Sequence, residues 1–152
     1  MASRIREYMS ADHRRCDGHF VATEDAVIAG DWAAAGAAFR RYGDALNAHL
    51  AMEEEVLFPA FEEETGMTGG PTAMMRAEHR ELRALLHRVE DALAHRKVDA
   101  WLGNSEMLRI LAQQHDLKEE GVLYPMMDRA LAGRQDELLA RMTTLAVDAA
   151  EA

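Results

Sequence analysis

The spacing of apolar and polar positions along this chain, interrupted by glycine and proline at few points, predicts helix almost throughout. Four long segments read out in order. The first runs from about Ser10, a cap-type residue, to Ala29 and stops at Gly30. The second starts near Asp31, also cap-type, and continues past His49 to about Pro59 or a little beyond. The stretch GMTGGP at 66–71 is the strongest break in the chain. A third segment spans about Pro71 to Arg96, and a fourth runs from after Asp99 to about Pro125. A shorter fifth, roughly Gln135 to Val147, places Leu138, Met142 and Leu145 at helical spacing. The expected architecture is all-α: an up-down-up-down four-helix bundle built from two helix pairs, with a short C-terminal helix added. Residues 1–133 would form the bundle and 134–152 a helical extension used for packing or oligomer contact.

The two helix pairs are copies of one another at a shift of 66 residues. HLAMEEEVLFP (49–59) realigns with HDLKEEGVLYP (115–125), and ADHRR (11–15) with AEHRE (77–81). His13 falls on His79, His49 on His115, Glu53 on Glu119 and Glu54 on Glu120. In both copies the two histidines are 36 residues apart (13 to 49, 79 to 115). From His13 to Gly30 is about 25 Å of helix, and from Asp31 to His49 about 27 Å back along an antiparallel neighbour. The histidines therefore return to the same height, and the second copy repeats the result. Glu53 and Glu119 each follow a histidine by one helical turn and share its face. Four imidazoles and two carboxylates in one layer of a bundle are a metal site. One metal would take His13 and His49, the other His79 and His115, with both glutamates bridging. Nitrogen and oxygen donors without a thiolate cluster suit iron, manganese or zinc rather than copper(I) or an iron–sulfur cluster. Pro59 and Pro125, equivalent in the two copies, are expected to kink or end their helices just beyond the site.

Charge and cysteine content narrow the setting. A net charge of −10 argues against nucleic acid or an anionic membrane as partner. There is no run of 18 apolar residues, and MASRIREYMSADHRR lacks the apolar core of a signal peptide. The single cysteine excludes a disulfide framework. A cytoplasmic protein, monomeric or homodimeric, is expected.

The pattern H…HxxxE…H…HxxxE, with EEVLFP and EEGVLYP trailing its paired motifs, resembles the hemerythrin-like HHE cation-binding domains over residues 5 to about 130. The resemblance implies a four-helix bundle around two non-heme iron ions, oxo- or hydroxo-bridged, with His13, His49, Glu53, His79, His115 and Glu119 as ligands. It further implies binding of O2, NO or peroxide. The alternatives are an iron- or oxygen-sensing domain, or an enzyme reducing NO or peroxide. Oxygen-carrying hemerythrins have a further histidine four residues after the third-helix ligand, and here that position is Arg83. Each metal would then keep an open position, which favours reactive chemistry over oxygen storage. Those carriers also place the last carboxylate five residues after the fourth-helix histidine, where Glu120 stands; the repeat favours Glu119, and the choice stays open.

Other residues near the motif carry weaker signals. His87 is read as a core position through its repeat partner Val21, with ligation as the alternative. His19 and His95 pair with Leu85 and Ala29 and are not read as ligands. Cys16 (partner Leu82) is read as a small buried hydrophobe. Tyr42 (partner Leu108) is read as core, with a pocket-lining role as the alternative. Asp116 adjoins His115 and is a possible additional acid, against which Leu50 at the matching position counts.

Overall fold

The structure, a computed structural model, describes residues 4–151; Met1 to Ser3 and Ala152, the outermost residues of the two expected segments, lie outside the described residues. Among these residues there are helices and no strand. Helix α1 (Arg4–Ile28) packs antiparallel along α2 (Trp32–Met52). A π-helical turn (Glu53–Leu57) continues α2 into α3 (Phe58–Thr65). The second pair is α4 (Pro71–Ala94) and α5 (Val98–Lys118), continued by a second π turn (Glu119–Leu123) into α6 (Tyr124–Ala130). A short 3₁₀ turn (Ala132–Arg134) leads into α7 (Gln135–Glu151).

Local chemistry sets most of these boundaries. Asp31 caps α2, its side chain accepting from the Ala34 N–H at 3.0 Å. Gly66 ends α3 in the left-handed conformation at φ 73°. The turn between α1 and α2 uses Gly30 at φ 73°; its repeat partner Arg96, at φ 52°, makes the corresponding turn between α4 and α5.

Ser10 is not the cap the sequence suggested. Helix α1 already covers Arg4–Ile28 among the described residues, and Ser10 is buried inside it. The extra turn is held from a distance: the Asp128 carboxylate of α6 accepts from the N–H groups of Ile5 (2.9 Å) and Arg6 (3.2 Å). The prolines also act differently from a simple helix stop. Pro59 and Pro125 sit in the first turn of α3 and α6, and the ladder is rearranged upstream of them into the π turns.

Two apolar clusters flank one polar layer. Phe20, Phe39, Tyr42, Leu86, Trp101 and Leu108 fill the end near the α1–α2 and α4–α5 turns. Ile5, Leu57, Phe58, Phe61, Leu138 and Met142 fill the other end. Helix α7 lies against α2 and the first π turn, and its Leu138 and Met142 are fully buried. The histidines and glutamates of the repeat occupy the layer between these clusters.

Candidate metal centre

All six residues singled out by the duplication converge in that layer, and none is more than 4% exposed. His13 comes from the middle of α1 and His79 from the middle of α4. His49 and His115 stand in the last turn of α2 and α5, and Glu53 and Glu119 are the first residues of the π turns. Glu119 faces both halves: its Oε1 is 3.1 Å from His13 Nε2, and its Oε2 is 3.2 Å from His115 Nε2. Glu53 Oε1 lies 3.1 Å from His79 Nε2 and 3.8 Å from His49 Nε2. The donors form two groups of mutually close atoms: His13, His49 and Glu119, and Glu53, His79, His115 and Glu119. Glu119 belongs to both.

Each imidazole is turned so that Nε2 faces inward, because a carboxylate holds Nδ1 from outside. His49 donates to Asp12 (2.8 Å), His115 to Glu78 (2.8 Å), His79 to Glu54 (2.6 Å) and His13 to Glu120 (2.7 Å). An ionised carboxylate only accepts, so it fixes the proton on Nδ1 and leaves the Nε2 lone pair free. These four acids also obey the 66-residue shift, Asp12 falling on Glu78 and Glu54 on Glu120. That regularity was the signal available for them in the sequence. Three are held in turn by cations: Asp12 by Arg15, Glu78 by Lys118, and Glu54 by both guanidinium nitrogens of Arg83 at 2.8 and 2.9 Å. Arg83 therefore occupies the position of the carriers' extra histidine and steadies an outer carboxylate instead.

A test of fit comes from the buried atoms that lack hydrogen bonds. Glu53 Oε1, His79 Nε2, His115 Nε2 and Glu119 Oε2 are all buried and make no hydrogen bond, although Glu53 faces His79 at 3.1 Å and Glu119 faces His115 at 3.2 Å. Leaving one such polar group unsatisfied costs on the order of 1–3 kcal/mol. Four together, converging on one point and all of metal-ligating type, fit a bound cation. Around His13 and His49 the corresponding atoms meet a hydroxyl. Tyr124 Oη donates its proton to Glu53 Oε2 (2.8 Å) or Glu119 Oε1 (2.9 Å), and lies 3.3 Å from the Nε2 of both His13 and His49. Tyr124 was not among the sequence candidates.

The electrostatics follow from this packing. Burial lowers the basicity of His49 and His115, but the facing carboxylates outweigh it. His49 ends well above its ordinary 6.5, through Glu53, Asp12 and Glu119, and His115 rises to about 11, through Glu119 and Glu53. Burial would raise Glu119, yet Glu53, His115 and His13 hold it well below the usual carboxylate range. A cation placed here would replace protons rather than enter a neutral cage.

The remaining candidates sort clearly. His87 is neither ligand nor core: its side chain is 79% exposed and lies near Glu90, and Val21 is exposed as well. His95 is exposed at the end of α4, and His19, half-buried on α1, belongs to neither donor group. Glu120 reaches the outer nitrogen of His13, whereas Glu119 sits inside. Asp116 does approach the inner atoms, with Oδ1 3.2 Å from His13 Nε2. Tyr42 is buried between Phe20 and Phe39. Cys16 is also buried, and burial pushes its thiol up to about 12. With Leu46, Leu82 and Asp116, these two residues line a cavity of about 10 Å³ that touches His13, His49 and His115.

A helical bundle with a buried layer of imidazoles and carboxylates able to hold a cation defines a metal-binding protein. Matching to family profiles agrees: the hemerythrin HHE cation binding domain covers residues 4–127. The chain belongs to that family. Comparison with curated proteins and with solved structures gives no match.

Proposed function

We propose that this chain is a non-heme di-iron protein that binds a small oxidant (O2, NO or peroxide) in the core of the bundle. The observation that carries the reading is the two-sided Glu119, whose two oxygens face separate histidine pairs 3.1 and 3.2 Å away. His13 and His49 would hold one iron and His79 and His115 the other, with Glu53 and Glu119 shared. Bound iron would supply the electrons and the open coordination position that these ligands require. The outer carboxylates fix the imidazole tautomers, and the apolar clusters above and below keep bulk water from the layer.

Ligand size supports a diatomic or similarly small molecule. The cavity of about 10 Å³ touches His115 as well as His13 and His49, and has room for about one water-sized species. A second hollow of about 70 Å³ shares its walls Asp17, Tyr42 and Ala112 and is lined also by the exposed Val21 and Gln113, so it leads toward solvent. A surface hollow of about 590 Å³ between Trp32, Arg40, Glu90 and Arg96 contains none of the ligand residues. No described helix is long and apolar enough to cross a membrane. A single free, buried cysteine is consistent with the reducing cytoplasm.

One observation favours a sensing role in addition. Helix α7 packs on the π turn that begins with Glu53, so ligand-induced movement of that turn would reach it. Hydrogen exchange of α7 with and without iron tests this; equal protection in both states argues against sensing. For the main reading, iron per chain and the optical spectrum should be measured reduced and again after exposure to O2. Two irons and new near-ultraviolet and visible bands are expected. Zinc alone, or no metal with an unchanged spectrum, would refute the oxidant chemistry and leave the fold intact.

A further inference from the structure

The duplication makes the centre symmetric, so its departures from symmetry are informative. The one nearest the inner donor atoms is at Tyr124, whose repeat partner is Phe58. The two rings are placed alike: Tyr124 stacks on His13 with centroids 5.7 Å apart, and Phe58 on His79 at 5.5 Å. Only the first carries an oxygen. That oxygen stands 2.8 to 3.3 Å from four inner atoms at once, on His13, His49, Glu53 and Glu119. At the Phe58 end, where no hydroxyl is available, inner atoms of His79, His115, Glu53 and Glu119 stand unpaired. The hydroxyl thus lies at the focus of the first donor set, closer than a residue that merely lines the site. A second departure adds to it: Asp116 Oδ1 is 3.2 Å from His13 Nε2, and its repeat partner is the apolar, fully buried Leu50.

We propose that Tyr124 is itself a ligand, as phenolate, of the metal held by His13 and His49, and that the centre is therefore asymmetric. The proposal rests on the di-iron reading for the identity of the metal. Coordination exchanges the phenolic O–H for an O–metal bond and releases one proton to solvent. Phenolate and carboxylate oxygens are hard donors and favour iron(III) over softer or lower-charged ions. The His13/His49 position, rich in oxygen, would then hold the more oxidised and more nearly saturated iron. The His79/His115 position, beside Phe58, would keep the open coordination site.

The test is resonance Raman spectroscopy on protein loaded with iron(II) and oxidised in air, with iron per chain measured on the same samples. Wild type is prepared with ordinary and with ring-deuterated tyrosine, alongside Tyr124→Phe and Tyr42→Phe. The expected result is two irons per chain and tyrosinate ring modes that shift with the label, persist in Tyr42→Phe and vanish in Tyr124→Phe. Two irons without tyrosinate modes would overturn the proposal, as would modes that survive in Tyr124→Phe. One iron with Tyr124-dependent modes would support the ligand and reject the di-iron reading. One iron and no such modes would reject both, the hydroxyl then holding the first donor set in place of a metal. Should Tyr124→Phe fail to fold, the labelled wild type and Tyr42→Phe decide, because Tyr8 is the only other tyrosine and lies outside the layer.

Discussion

Replacing Glu54 with alanine should weaken one metal position selectively. Glu54 accepts the Nδ1 proton of His79 at 2.6 Å and is itself held by two guanidinium contacts from Arg83. A hydrogen bond to a charged group contributes roughly 1.5–3 kcal/mol. At about 1.4 kcal/mol per tenfold, that corresponds to roughly a 10- to 100-fold change in affinity. The side chain of Glu54 is 24% exposed, so water can replace part of the interaction, and the lower half of the range is expected. The loss should fall on the metal bound by His79 and His115, because His13 and His49 are oriented by Glu120 and Asp12. Glu120→Ala should produce the mirror result. Glu54→Gln, which keeps an acceptor oxygen but not the charge, should lose less. Competition with a chromophoric chelator measures this, with far-ultraviolet circular dichroism to verify folding. A folded Glu54→Ala protein that retains both metals within about threefold of wild-type affinity would refute the role assigned to the outer carboxylates.

Four further outcomes are expected. His49 and His115 bind protons more tightly in the folded, metal-free protein than the ordinary 6.5, His115 up to about 11. The stability they confer is therefore fully present below about pH 6.5 and is lost as pH rises toward 11, so the metal-free melting temperature should fall over that window. Metal affinity should climb over the same window, about tenfold per pH unit for each proton displaced, and an affinity independent of pH would contradict the assignment. Leu138→Ala should lower the melting temperature by roughly 5–15 °C, since Leu138 is fully buried in the cluster with Phe61; an unchanged value would mean that α7 is a dispensable extension. Phe58→Tyr should create a second phenol beside His79 and strengthen the tyrosinate Raman modes of the iron-loaded protein, whereas an unaltered spectrum would show that ring placement alone does not make a ligand.

The helices and the six inner residues were legible in the sequence because each depends on local or repeated features. Asp31 and Gly66 act through their own backbone surroundings, so their boundaries could be read directly. Ser10 misled because the helix ahead of it is held by Asp128, more than a hundred residues away, and by burial of Ile5 and Met9. His87 misled for a geometric reason. Eight residues is about 80° beyond the face of His79, enough to leave the bundle interior. Tyr124 was hidden by the π turn. In a regular α-helix it would lie about 140° from Glu119, on the wrong face. The π turn's i-to-i+5 bond, here from the Tyr124 N–H to the Glu119 carbonyl, brings the two residues onto one face and the hydroxyl to 2.9 Å from the carboxylate. The outer carboxylates were visible as letters but not as partners, since each acts on a histidine of another helix.

Duplication explains why so much of the centre is predictable, and also where its chemistry must be sought. Both copies supply the same His, His and Glu, the same outer acids and the same π turn. Those shared parts provide a scaffold able to hold two metals, and symmetry alone would make the two equivalent. Among the pairs that break it near the layer, three change the charged or oxygen-bearing groups at the histidines and their outer acids: Tyr124 for Phe58, Asp116 for Leu50, and Arg83 for Asp17. The first two add oxygen donors to the His13/His49 side, and the third locks the outer carboxylate of His79 on the other. The symmetric part accounts for binding metal. The asymmetric part is where a centre of this kind would distinguish an electron-accepting iron from a ligand-accepting one, so variants at these three pairs, more than at the ligands themselves, separate carrier from sensor and enzyme.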